Sequence, residues 1–88
     1  MQKEVIVGLE AGLHARPAAL LVQEAKKFSS KILIRHHSQE VSALSIMGLM
    51  SLALSKGSKV TIVADGEDAE AAANALEEFL KSEEPVVR

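Results

Sequence analysis

Cysteine, tryptophan and tyrosine are absent from the chain, and Phe28 and Phe79 are its whole aromatic complement. Without thiols there is neither a disulfide framework nor a thiolate metal site, which fits a reducing compartment. Without large aromatics the core has to be aliphatic. No apolar run reaches the roughly 18 residues that a membrane-spanning helix needs, and Met1-Gln2-Lys3-Glu4 lacks the charged-then-apolar layout of a secretory signal. The chain is therefore expected to be cytoplasmic, with no membrane insertion. A cationic excess is missing too: the net charge is -2 and the lysines and arginines are scattered, so direct nucleic-acid binding is not expected. What is present, 48% hydrophobic and 25% charged residues over 88 positions, is the composition of one ordinary globular domain spanning residues 1–88. A chain this short is unsuited to a large enclosed active site.

Hydrophobic periodicity predicts the elements. Gln2 to Leu9 reads as a strand with Val5, Val7 and Leu9 on one side, ended by Glu10-Ala11-Gly12. From Arg16 to Phe28, Ala18, Leu21, Val22, Ala25 and Phe28 recur at helical spacing, and Pro17 suits only a first turn. Ile32 and Ile34 alternate with Leu33 and Arg35 as a second strand, and Val41 belongs to a short third one across His36-His37-Ser38-Gln39. A short helix from Ser45 to about Leu52 follows, with Ser45 as its cap and an end signal as late as Gly57. Lys59 to Ala64 alternates as a fourth strand. The last helix is capped by Asp68, buries Ala72, Leu76, Phe79 and Leu80, turns Glu70, Glu77, Glu78 and Lys81 to water, and stops before Pro85. The order β-α-β-β-α-β-α packs most economically as an α+β open-faced sandwich, a four-stranded antiparallel sheet covered on one face by three helices.

Chemistry concentrates in Gly12-Leu13-His14-Ala15-Arg16-Pro17-Ala18. An imidazole stands directly before a helix start, where the first N–H groups lack internal partners and the dipole favours an anion. Pro17 gives up an N–H the helix would not use, while the backbone amides around it, those of Ala15 and Ala18, stay available to a phosphate. Arg16 adds a permanently charged donor fork suited to phosphate oxygens. Gly12 gives the loop a backbone freedom that turns His14 toward the helix end. These residues alone are equally compatible with a polar loop histidine and a solvated arginine.

Ser45-Ile46-Met47-Gly48-Leu49-Met50 is the second feature. Ile46, Met47, Met50 and Leu52 cannot all point inward from one short helix, so some apolar surface is expected outside, where methionine adapts well to docking. Leu20, off the inner stripe of the first helix, extends the same patch. His36 and His37, adjacent at a strand end, are expected to point to opposite faces and not to share a metal. Neither a metal site nor a cofactor is expected.

The two motifs together resemble HPr, the histidine-containing phosphocarrier of the bacterial sugar phosphotransferase system, and the resemblance runs nearly end to end. It implies that His14 takes a phosphoryl group from phosphorylated enzyme I and gives it to the IIA domains of sugar permeases, with Arg16 assisting. It implies that Ser45 is a second, regulatory site. In members from low-GC Gram-positive bacteria the matching serine is modified by an ATP-dependent HPr kinase/phosphorylase, and the product acts with the catabolite control protein. It implies a carrier rather than an enzyme, and the same open-faced fold. Stretches such as Pro17-Ala18-Ala19-Leu20-Leu21-Val22-Gln23-Glu24-Ala25 are also similar to Crh, the catabolite-repression paralogue, which has glutamine where this chain has His14. Before Ser45 the family usually shows an asparagine, a variable residue and often a lysine; here Ser42-Ala43-Leu44 stands. Two rival classes are a binding module working only through Ser45 and a small acyl-phosphate hydrolase, though no residue suggests itself for positioning an attacking water.

Overall fold

A computed structural model describes residues 1–84 of the chain. The elements follow in the expected order: β1 (Gln2–Ile6), α1 (Ala15–Ala25), β2 (Lys31–His36), β3 (Gln39–Ser42), α2 (Ile46–Ser51), β4 (Lys59–Asp65) and α3 (Ala69–Lys81). The strands form one antiparallel sheet in the order β1-β4-β2-β3. One sheet face carries the buried set Val5, Ile32, Ile34, Val60, Ile62 and Ala64, which meets Leu21, Leu49, Leu76 and Leu80 from the helices in a single aliphatic core. The opposite face carries Glu4, Arg35, Glu40 and Thr61 in register, so the expected one-sided sandwich is what forms.

Alternation dictates this arrangement, since side chains two residues apart share a face and the buried positions of β1, β2 and β4 all fall on one face. β1 ends at Ile6 rather than Leu9, because Gly8 N–H leaves the sheet to donate to the Leu80 carbonyl at the end of α3, 2.8 Å away. Val7 and Leu9 are nevertheless buried, as expected of that stripe. Gly8 is needed for this approach: a β-carbon there would fall 2.1 Å from the Lys81 carbonyl oxygen. α1 stops at Ala25, short of Phe28, which packs half-buried against the core from the following turn.

Two capping expectations meet different fates. Ser45 caps α2 with its hydroxyl, which accepts from Gly48 N–H at 2.9 Å. Asp68 stands before α3 but makes no side-chain cap. Its carboxylate instead accepts from the backbone N–H groups of Ser29 and Ser30 and from the Ser30 hydroxyl, pinning the α1–β2 turn to the head of α3. Those donors, Ser30 hydroxyl foremost, hold the Asp68 carboxyl below its usual range. The expected end signal at Gly57 is also displaced. α2 closes at Ala53, a non-glycine residue with φ +52, while Gly57 turns the chain into β4. Pro85 lies outside the described residues.

Candidate functional site

The loop between β1 and α1 is fastened at both sides before it reaches His14. Glu10 N–H donates to the Glu83 carbonyl at 3.0 Å and Leu13 N–H to the Leu54 carbonyl at 3.1 Å. Glu10 also meets Lys56, Oε1 to Nζ 2.7 Å, and this pairing raises the Lys56 pKa. Gly12 adopts φ +75, a conformation an L-residue resists, and a β-carbon there would lie 2.5 Å from the Leu54 carbonyl oxygen. The glycine is thus required twice, by its angle and by its neighbour.

His14 is the N-cap residue of α1, in extended backbone conformation, and its exposed side chain makes no cap hydrogen bond. No acidic residue occupies the first turn. Arg16 is exposed two residues on, and among the described residues it joins no salt bridge. Pro17 is buried in the first turn and fixes the direction of the helix start. His14, Arg16, Pro17 and Leu20 line an open groove of about 470 Å³ together with Glu83 and Glu84. Of the two amides expected to remain available to a phosphate, that of Ala18 donates to the His14 carbonyl at 2.8 Å as the first bond of the helix. The amide of Ala15 precedes that bond, at a position with no internal acceptor. A phosphate placed beside His14 would therefore meet the Ala15 end of the first turn and the exposed guanidinium of Arg16, with the Ala18 amide already occupied.

The apolar surface lies on α2 as expected, and it is larger. Met47 is 79% exposed, with Ile46 and Met50 beside it, while Leu49 and Leu52 are buried. Leu44, which the sequence pattern did not single out as apolar surface, is 56% exposed directly before Ser45. Leu20 is half-buried against the core and belongs to the groove beside His14. Ser45 itself is partly buried, its hydroxyl engaged by Gly48 N–H.

The histidine pair corrects its expectation. His36 and His37 do not diverge: their rings lie 4.0 Å apart, tilted by 45°. His37 takes φ +56 in the hairpin turn, which breaks the strand alternation and swings its ring onto that of His36. His36 Nδ1 lies 3.2 Å from the Lys59 carbonyl oxygen. Among the described residues no group of three potential metal ligands gathers here or elsewhere, and none of the helices is long and apolar enough to cross a membrane.

Comparison with known proteins converges on one assignment. The family described as PTS HPr component phosphorylation site matches residues 1–82. The chain belongs to the HPr family. It is 49% identical over 83 residues to the HPr-like protein Crh of Halalkalibacterium halodurans, covering 94% of this chain and 99% of that one. The phosphocarrier protein HPr from Bacillus anthracis superposes with a TM-score of 0.88 at 51% identity, over 91% of this chain and 95% of the other. Crh of Bacillus subtilis, solved as a swapped dimer, superposes at 0.77 with 46% identity over 100% and 99%. The HPr-like open-faced sandwich is thus confirmed, and relatives of both kinds, phosphocarrier and Crh, stand at similar distance. Within this family fold, Gly12, His14, Arg16 and Pro17 line the groove beside α1, and Ser45 to Met50 supply the neighbouring apolar helix.

Proposed function

We propose that this chain is a phosphocarrier of the sugar phosphotransferase system, in which His14 accepts a phosphoryl group from phosphorylated enzyme I and donates it to IIA domains of sugar permeases. The observation that carries this reading is the start of α1. Among the described residues, an exposed imidazole with no cap hydrogen bond stands at a helix N-terminus beside an arginine that joins no salt bridge. A ring nitrogen of His14 attacks phosphorus, the bond from phosphorus to the donor breaks, and the group then resides on His14 until an acceptor reverses the process. Arg16 and the first-turn Ala15 amide offset the charge on the phosphoryl oxygens. Nothing is turned over in the absence of an acceptor, so the chain acts as a stoichiometric carrier in the cytoplasm rather than as an enzyme.

Leu20, Ile46, Met47 and Met50 form the docking surface in this reading, with Met47 as its anchor, because adaptable side chains suit a protein that meets a donor and several acceptors in turn. Ser45 is a second acceptor, for the HPr kinase/phosphorylase. A phosphate there adds about -1.5 to -2 of charge beside the apolar patch, opposing contact with enzyme I and favouring a partner with arginines, such as the catabolite control protein. The likeness to Crh, close in identity to that to HPr, supports a second reading in which regulation through Ser45 predominates. Incubation with enzyme I and phosphoenolpyruvate, followed by mapping of acid-labile phosphate, separates the two. Label on His14 supports the carrier, and a chain that takes phosphate only on Ser45, from ATP and the kinase, is the regulatory module.

A further inference from the structure

Among the described residues only His37 and Ala53 combine a side chain with positive φ. His37 is accounted for by the tight β2–β3 hairpin. Ala53 is different, since it closes α2 in a position where glycine, free of the steric penalty, is the common choice. Its N–H donates to the Met50 carbonyl at 3.1 Å, and the left-handed turn then sends Leu54 back into the core. The Leu54 carbonyl emerges from that turn aimed at the β1–α1 loop. There it accepts Leu13 N–H at 3.1 Å and lies so near Gly12 that no β-carbon fits between them. The residue next to Leu13 is His14. Strained conformations persist where surrounding structure enforces them, and here the structure that benefits is the seat of the imidazole.

We propose that Ala53 is a positioning residue for phosphoryl transfer at His14: its left-handed turn sets the Leu54 carbonyl as the stop against which Gly12 and Leu13 hold the histidine at the head of α1. The proposal rests on the reading of His14 as phosphoryl acceptor. It makes the end of the docking helix and the reacting loop share one backbone carbonyl. Ala53 touches no reacting atom, so its influence passes wholly through Leu54 and Leu13.

The test is single-turnover labelling of Ala53→Val and Ala53→Gly by phosphorylated enzyme I, with modification of Ser45 by the serine kinase and thermal midpoints measured on the same samples. A β-branched side chain opposes the left-handed turn, so Ala53→Val is expected to slow labelling of His14 by about tenfold or more at saturating donor. Ala53→Gly keeps the turn and should label within about twofold of the parent with a midpoint no lower. Ser45, at the other end of α2, should be modified at the parental rate in both. Because valine also adds bulk near the donor, and because the variant can fail to fold, a chain with Leu13 replaced by its α-hydroxy acid provides a second arm. It removes the one N–H that reaches Leu54 and adds no atoms outside, and it should slow labelling in the same way. Parental rates in both Ala53→Val and the ester overturn the proposal. So does equal slowing in a core variant such as Ile62→Val, once its midpoint has been matched. A parent chain that enzyme I never labels overturns the carrier reading itself, and this inference with it.

Discussion

At the head of α1 the capping side chain, His14, bonds to nothing in its helix, whereas at the head of α2 Ser45 turns its hydroxyl back onto Gly48 N–H at 2.9 Å. Both positions are N-caps, both backbones are extended, and both precede a helix without acidic residues in the first turn. The difference is in who satisfies the helix end. α2 closes itself with its own serine. α1 has Pro17 fixed in its first turn and is held from outside by the tether of Leu13 to Leu54, which leaves its positive end to a visitor. A helix start braced from outside can exchange an anion without losing its fold; a start braced by its own hydroxyl changes its cap whenever that hydroxyl is modified. The first arrangement suits a group that comes and goes, the second a group whose arrival has to be noticed.

The sharpest way to break this contrast is to give α1 a cap of its own. His14→Ser should abolish labelling by phosphorylated enzyme I at the first site while raising stability to urea by about 0.5–1 kcal/mol, since an oxygen acceptor replaces an unbonded imidazole. Residual acid-labile phosphate in the first motif, or a loss of stability, would count against an open helix end. Arg16→Ala leaves the helix start open and removes its cation. The single-turnover rate at saturating donor should fall by about 10- to 100-fold with the thermal midpoint unchanged, and an unaltered rate in both directions would deny Arg16 its role. Met47→Asp probes the other helix, where the effect should appear in donor concentration rather than at saturation. About tenfold more enzyme I should be needed for half-maximal rate, and a collapse of stability instead would place Met47 in the core despite its exposure.

Smaller effects follow at the closed ends. Ser45→Ala should cost about 1 kcal/mol in a urea melt because Gly48 N–H loses its acceptor, and a change below a few tenths would mean that water replaces the serine. Asp68→Asn addresses the third helix start, whose carboxylate serves the α1–β2 turn instead of its own helix. The Asp68 pKa is lowered on folding below the ordinary aspartate value, the Ser30 hydroxyl being the first cause, so its contribution is complete above the unfolded pKa and is lost as pH falls through the lower folded one. The variant should melt slightly earlier at neutral pH, and its deficit should vanish with acidification. A deficit of constant size from neutral to acid pH would assign it to packing instead of charge.

Much of this was legible from residue order. The alternation of Val60, Ile62 and Ala64 and the helical stripe of Leu76, Phe79 and Leu80 are local patterns, and the structure keeps them. The placement of His14 before a helix, and of Ser45 as a cap, also follows from local rules. What stayed hidden is non-local or shares its signal with something else. Asp68 carries the side chain of a helix cap, and only the arrival of Ser29 and Ser30 shows that its oxygens are used elsewhere. Ala53 carries no mark of a left-handed residue, so Gly57 drew the prediction. The meeting of His36 and His37 depends on one backbone angle in a two-residue turn, which strand alternation misses. The occupied amide of Ala18 reflects where α1 begins, and helix boundaries shift by a residue or two for reasons that side-chain periodicity does not encode.

On the ribosome, the strand order β1-β4-β2-β3 delays the site. β1 leaves first but pairs only with β4, so that Gln2 waits for Val63, while β2 and β3 close onto each other as soon as their hairpin is made. The loop that carries His14 waits longer still, because one of its two fastenings, Glu83, lies beyond α3. Local pairings form early and distant ones late in a growing chain. A nascent chain therefore carries His14 and Arg16 before the frame around them is complete, since Leu54 arrives ahead of β4 and Glu83 only after α3. Fragments released early would hold the motif and lack its geometry.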